Sequence, residues 1–396
     1  MNKKDIADIR KHFKLGTDLL TIRDIYNVYI KQECNEIYHE ASQAFSLLDR
    51  EQQELFLTNF KKVLGGKLDE KLFEVKFKRE EEEREDHTQT ILYEALQVDD
   101  VADWKEGMLQ IAKKMVQDVQ YDKDIVITFI RGSYFKPTKR EPDETEADVR
   151  DEVYTTPFIL CSMNQTEQPK RSLVFDFVGK EFKSSFMADP IINLTSPIGG
   201  FLFPTFTNNA ADVNHILYAA GKANKPNYHF IESVLDGEEI MTAQEDKAVF
   251  EEIVKEVIGH EVNTRTLANL YDEINRMVEV DEEEEEPENI PTLDTRELER
   301  VLKVSGVEDV DSDKVERAFL TVIDDESYEL KATHIVPKYT SKSIKIETKV
   351  ANISISPQDL KYVKQVTVGG KRCLLIEVEE DTIIDGFTII PEELLK

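Results

Sequence analysis

The sequence is short of cysteine, of basic charge, of long apolar runs and of the motifs that announce common chemistries. Its three cysteines, Cys34, Cys161 and Cys373, lie far apart and form neither a Cys-x-x-Cys nor a Cys/His spacing. That argues against a zinc site built on such spacing and against a secreted disulfide framework. No stretch approaches the roughly 18 apolar residues of a membrane span. The opening Met1 to Lys14 lacks the charged start, apolar run and small-residue cleavage site of a signal peptide. The expectation is a cytoplasmic protein with no membrane partner. There is no GxGxxG, GxxxxGK[ST] or GxSxG, so neither a phosphate loop, a dinucleotide fingerprint nor a nucleophile elbow is present, and no cofactor is expected.

Lysine and arginine number 50 against 80 aspartates and glutamates, a net charge of −30. The surplus is uneven. Residues 81–160 carry 20 acids and 10 bases, and residues 241–330 carry 28 and 9, whereas 1–80 (14 and 15) and 331–396 (9 and 10) are each at +1. A body so charged repels phosphate backbones over a Debye length of roughly 8–10 Å, so no direct nucleic-acid binding is expected. The nearest basic stripe, Lys136, Lys139 and Arg140, runs into Glu141, Asp143, Glu144, Glu146 and Asp148, which neutralise it.

With 396 residues, 40% of them hydrophobic, the chain exceeds the size of one core and predicts two or three domains. Periodicity alternates between helix and strand, and the class is α+β: mixed helices and largely antiparallel sheets in a large N-terminal region, then a small strand-rich C-terminal domain. Ile6, Ile9 and Phe13 predict a short amphipathic helix. Ile25–Ile30 and Ile37–Phe45 predict a strand pair. Asp49 caps a helix that stops at Gly65 and Gly66. Strands are expected at 125–130, 153–163 and 172–178, the last two joined as a hairpin through 164–170. Asp212 is read as capping a helix through Leu217 and Tyr218. Residues 1–280 form the main region, open to division near 120. The acidic, proline-containing stretch 281–291 is the linker, and 292–396 forms the small domain, with a strand at 333–336 and a Gly369–Gly370 hairpin turn.

Two places merit weighing for chemistry. The stretch Gly199 to Tyr218 combines a close-approach pair (Gly199, Gly200), apolar walls (Phe201, Phe203, Phe206) and polar groups (Asn208, Asn209, Asp212, Asn214, His215) at an expected helix start, a pattern suited to a ligand or partner surface. The bland alternative makes the aromatics core and Asp212 a cap. Glu347 and Lys349 form an E-x-K triplet, the spacing that puts a Mg²⁺-binding carboxylate and a phosphate-stabilising ammonium on one strand face in metal-dependent nucleases. A positioned upstream aspartate is missing, Asp324 and Asp325 being the nearest. His260 and Glu261 begin a zincin pattern that Thr264 does not complete, and no metal is expected.

Short patterns also run through the chain in order: Met1-Asn-Lys-Lys-Asp-Ile6, Val63-Leu-Gly-Gly-Lys-Leu68, Ile91-Leu-Tyr-Glu-Ala-Leu96, Gly200-Phe-Leu-Phe-Pro-Thr-Phe206 with Asp212-Val-Asn214, and Val368-Gly-Gly-Lys-Arg-Cys-Leu-Leu-Ile-Glu-Val378. In these the chain resembles the bacterial family called domain of unknown function 4317. The resemblance spans nearly the whole length. It implies a bacterial, mainly Gram-positive, soluble protein and carries no catalytic role to any position. The leading expectation is a protein-interaction or regulatory module that contacts a protein partner through the Gly199–Tyr218 surface or the C-terminal sheet. A Mg²⁺-dependent nuclease or other phosphoryl-transfer enzyme using Glu347 and Lys349 is the alternative, and an acidic nucleic-acid mimic that inhibits a DNA-binding protein is the third.

Overall fold

A computed structural model describes residues 1–79, 86–137, 153–167, 171–186, 189–207, 210–259, 264–282, 291–325, 327–336, 344–378, 383–384 and 387–388. The fold is α+β, in two compact units, Met1–Thr242 and Ala243–Lys396.

The first unit is built on one antiparallel sheet. The strands of the unit are β1 (Leu20–Lys31), β2 (Glu36–Ala44), β3 (Leu72–Lys76), β4 (Ile125–Pro137), β5 (Val153–Glu167), β6 (Arg171–Asp176), β7 (Glu181–Phe186), β8 (Ile191–Ile192), β9 (Gly199–Phe203), β10 (Thr205–Thr207), β11 (Ala210–Asp212) and β12 (His215–Ala220), of which β6–β7 and β10–β11 are separate ribbons. The main path runs β2-β1-β4-β5-β9-β12-β3, with β8 on the end of β5. Both faces are buried, so successive residues belong to different cores. Tyr26, Val28, Ile127, Phe129, Ile159, Cys161, Phe201, Phe203, Ile216 and Tyr218 share one core with α3 (Thr88–Gln97), α4 (Val101–Val116) and a single π-helical turn, Phe230–Val234. Ile25, Ile130, Phe158, Leu160, Leu202, Leu217 and Ala219 share the other with α1 (Lys3–His12) and α2 (Arg50–Val63).

The helices begin where the sequence supplies caps. The Asn2 side chain accepts from Asp5 N–H (2.8 Å) while Asp5 accepts from Asn2 N–H (3.2 Å), and Asp49 and Gln52 form the same reciprocal box. Each box satisfies two of the amides that a helix start leaves without partners.

Three local expectations give way. The predicted helix from Asp212 is β11, a turn and β12; Ile216, Leu217 and Tyr218 are all buried between β3 and β9. A short apolar run fits a buried strand as well as a helix, and sheet pairing decides. The predicted hairpin through 164–170 is absent, because β5 runs on to Glu167 and β6 pairs with β7 instead. Ser162 and Asn164, polar and fully buried on β5, are held there by Asn59 of α2, which donates to Asn164 Oδ1 (2.8 Å) and accepts from Ser162 Oγ (2.6 Å). The expected strand at 333–336 is a short helix, Ala332–Ile335. No division near 120 appears either, since β4 lies between β1 and β5 in one sheet.

The second unit holds α5 (Ala243–Ile258), α6 (Thr264–Glu282), α7 (Thr295–Val304), α8 (Ser312–Ile323) and α9 (Ala332–Ile335). It also holds the two-stranded ribbons β13–β14 (Thr292–Leu293, Leu330–Lys331), β15–β16 (Ile344–Glu347, Asn352–Ile355) and β17–β18 (Val363–Val368, Lys371–Ile376). The sequence reading groups α5 and α6 with the N-terminal region. Here their apolar faces, Phe250, Ile253, Leu270 and Ile274, share a core with Leu298, Val301, Leu302 and Phe319. Part of the acid surplus works as caps: Asp294 accepts from Glu297 N–H (2.7 Å) and Asp311 from Lys314 N–H (2.8 Å). Gly369 and Gly370, at φ of 58° and 78°, make the β17–β18 turn as expected.

Candidate functional site

The residues from Gly199 to His215 divide into a packed part and a polar part. A Cβ at Gly200 would lie 2.2 Å from the Cys161 carbonyl oxygen and 3.0 Å from Val63 Cγ1, so the close approach this glycine allows is taken up by β5 and α2. Phe201, Phe203 and Phe206 are buried. Their rings meet Phe129 (6.4 Å), Phe77 (5.9 Å) and Tyr134 (5.7 Å) respectively.

The polar part lies at the β11–β12 turn. Asp212 Oδ1 accepts from Asn214 N–H (2.9 Å), and Asp212 Oδ2 sits 2.6 Å from His215 Nδ1. Gln89 from α3 donates to the Val213 carbonyl (2.9 Å) and to Asn214 Oδ1 (3.3 Å). Partial burial works to raise the Asp212 carboxyl, but the Asn214 amide and His215 outweigh it and hold it below its ordinary value. Asp212 is therefore a carboxylate at neutral pH that fixes the imidazole through Nδ1. This is two-thirds of a nucleophile-activating relay. Among the described residues no hydroxyl or thiol is hydrogen-bonded to His215. Asn208 and Asn209 lie outside the described residues.

Glu347 is the last residue of β15, opposite Asn352, and Lys349 stands in the turn beyond it, both exposed. The two therefore do not share a strand face. Asp324 ends α8 in the left-handed conformation (φ 59°), and Asp325 accepts from the Ser327 amide and hydroxyl. No cluster of three or more His, Cys, Asp or Glu side chains with metal-holding geometry occurs among the described residues. His260, Glu261 and the basic pair Lys139 and Arg140 lie outside them, as does most of the run Asp281–Glu286.

Two charged clusters hold α3 and α4 in place. Arg131 of β4 pairs with Asp24 of β1 (2.7 Å), donates to the Val98 and Asp99 carbonyls (2.9 and 3.1 Å) between the helices, and lies over the Trp104 ring at 4.9 Å. Lys114 of α4 meets Asp236 Oδ2 (2.6 Å), which also accepts from Thr88 N–H (2.8 Å) at the start of α3. Burial alone would raise the Asp236 carboxyl; the Lys114 ammonium and the Thr88 amide bring it below its usual range.

The feature that sequence reasoning missed is the β6–β7 hairpin. It pairs with no other strand among the described residues. Its register sets Leu173, Phe175 and Phe182 on one face and Val174, Asp176, Glu181 and Lys183 on the other. The apolar face is open to solvent, and Phe175 contacts both Phe177 and Phe182 at 5.2 Å between ring centroids. The signal lies in the alternation within 172–178, which predicts a strand but pairs it with 153–163 and not with Glu181–Phe186. A shallow depression of about 350 Å³ lies elsewhere, on the outer side of α2, lined by Glu51, Glu54, Leu55, Thr58, Leu194 and Thr195.

A doubly covered antiparallel sheet carrying an amphipathic hairpin, with a second α+β unit behind it in sequence, is the class of protein these elements define. The chain belongs to the family described as Domain of unknown function (DUF4317), whose model matches residues 1–387. No curated protein matches the chain. Among the described residues no helix is long and apolar enough to cross a membrane.

Proposed function

We propose that the protein is a cytoplasmic bacterial interaction module whose contact surface is the apolar face of the β6–β7 hairpin. The observation that carries this reading is the one-sided placement of Leu173, Phe175 and Phe182, with Phe177 and Val178 at the tip, all exposed on a ribbon with no other strand beside it among the described residues. Sidedness of this kind is what a covered sheet face requires, and a two-stranded ribbon alone is marginal in water. Exposed aromatics in a cluster are the usual anchors of protein–protein contacts. The Asp212–His215 pair has an oriented imidazole and no nucleophile beside it among the described residues, so it gives catalysis less support than the hairpin gives binding.

The test is a photo-crosslinking residue at Phe177, with the equally exposed Val350 as control position, in the native host. A protein adduct at Phe177 well above that at Val350 is expected. Equal labelling at both positions would refute the reading.

A further inference from the structure

The apolar surface of the hairpin is large for a face left in water. Leu173 is 74% exposed, Phe175 41%, Phe177 85%, Val178 95% and Phe182 73%. At about 150–250 Å² per aromatic side chain and somewhat less for Leu and Val, these fractions leave roughly 600–700 Å² of apolar surface open. The largest patch on an ordinary monomer reaches roughly 300–600 Å². Two such hairpins, faces and tips together, would cover roughly 1,200–1,400 Å², the low end of the roughly 1,200–2,000 Å² of a stable interface. Face and tip of one ribbon against those of another therefore reach the area a small dimer needs.

Charge points the same way. The chain stands at −30, yet residues 168–192 hold Lys170, Arg171, Lys180 and Lys183 against Asp176, Glu181 and Asp189, a balance of +1. A second copy, equally acidic as a whole, meets no like-charge field at this ribbon. On the polar face Lys183 and Asp176 neutralise each other at 2.5 Å.

We infer that the partner at this surface is a second copy of the chain: a homodimer in which two β6–β7 hairpins stack their apolar faces about a twofold axis, with Phe177 and Phe182 of each copy at the centre. This rests on the interaction reading above and names its partner.

Sedimentation equilibrium of the full chain over roughly 1–100 µM, the range in which an interface of this size is populated, tests it. The wild type should sediment at twice the 45.7 kDa chain mass. The double variant Phe177→Ser, Phe182→Ser should weaken dimerisation by about 100-fold or more, as the loss of two central aromatics does. Both side chains project into solvent in the single chain, so the core of the first unit is kept, which Trp104 fluorescence verifies. Val350→Ser, in the second unit, should leave the dimer intact. A wild type that stays monomeric at the highest concentration overturns the inference, and so does a dimer indifferent to the double substitution. The crosslink at Phe177 separates the two failures: an adduct with a different protein on a monomeric chain sinks self-pairing alone, and no adduct sinks the interaction reading with it.

Discussion

Gly199 and Gly200 are neighbours on β9, yet adding a methyl group to each should change stability in opposite directions. At Gly200 the new Cβ would lie 2.2 Å from the Cys161 carbonyl oxygen, and ordinary contact begins at 3.4 Å, so β5 and β9 would have to part by about 1.2 Å. The closest contact is with the Cys161 backbone, so no rotamer relieves it. Overpacking of this kind costs about 1–3 kcal/mol, and the strained ladder about 1 kcal/mol more. Against this stands roughly 0.5–1 kcal/mol gained from a stiffer unfolded chain. The net expectation for Gly200→Ala is a loss of about 1–3.5 kcal/mol. At Gly199 the Cβ would meet the Ala219 carbonyl oxygen at 3.6 Å and Met163 Sδ at 3.8 Å, both ordinary contacts, so Gly199→Ala should be neutral or stabilising by up to about 0.5–1 kcal/mol. The protein's single tryptophan, Trp104, is buried in the first unit, and its fluorescence in urea reports that unit alone. With a slope of about 3–4 kcal/mol per molar for a unit of this size, Gly200→Ala should lower the midpoint by roughly 0.3–1.2 M. A midpoint for Gly200→Ala at or above that of wild type would refute the reasoning, because the glycine would then not be a packing requirement of the sheet.

Two further perturbations probe the buried charges. Arg131→Met leaves Asp24 buried beside Arg23 alone (3.1 Å); a stranded buried charge costs about 3–5 kcal/mol, and with Arg23 still present the low end is expected, lowering the melting temperature of the first unit by roughly 6–12 °C by circular dichroism. Asp236→Asn keeps the left-handed backbone (φ 51°) but removes a carboxyl whose folded pKa lies below its ordinary 3.8. A depressed carboxyl adds stability that is complete above the unfolded pKa and is lost as pH falls through the folded one. The wild-type advantage in urea midpoint should therefore be constant from about pH 5 to 8 and shrink below about pH 4; an advantage unchanged at pH 3 contradicts the Lys114–Asp236 account.

What could be read in the sequence was whatever local chemistry decides. Asn2 and Asp49 announce helix starts because their side chains answer amides three residues on, and Gly369–Gly370 announces a turn because positive φ is needed twice in succession. What could not be read was decided by distant partners. His215 to Ala220 has no period that separates helix from strand, and only β3 and β9 on either side make it β12. Residues 172–178 show an alternation, but alternation names a face without saying what covers it, and here Leu173 and Phe175 stay open to solvent. The aromatics at 201, 203 and 206 fit pocket walls and core alike in sequence, because burial is invisible in composition; in the structure they are core. Asp212 and His215 meet through a tight turn between strands and not at a helix end.

The place of β3 at the far side of the sheet governs how the molecule can be made. Leu72 to Lys76 leave the ribosome early, but their hydrogen-bonding neighbour is His215 to Ala220. At ordinary elongation speeds roughly 140 further residues take about 7–30 s to emerge. Through that interval Leu72, Phe73 and Val75, later sealed in the interior, have no strand to join. Nascent chains of this protein are therefore exposed to clumping until β12 arrives, and any truncation ahead of Ala220 makes that vulnerable state permanent.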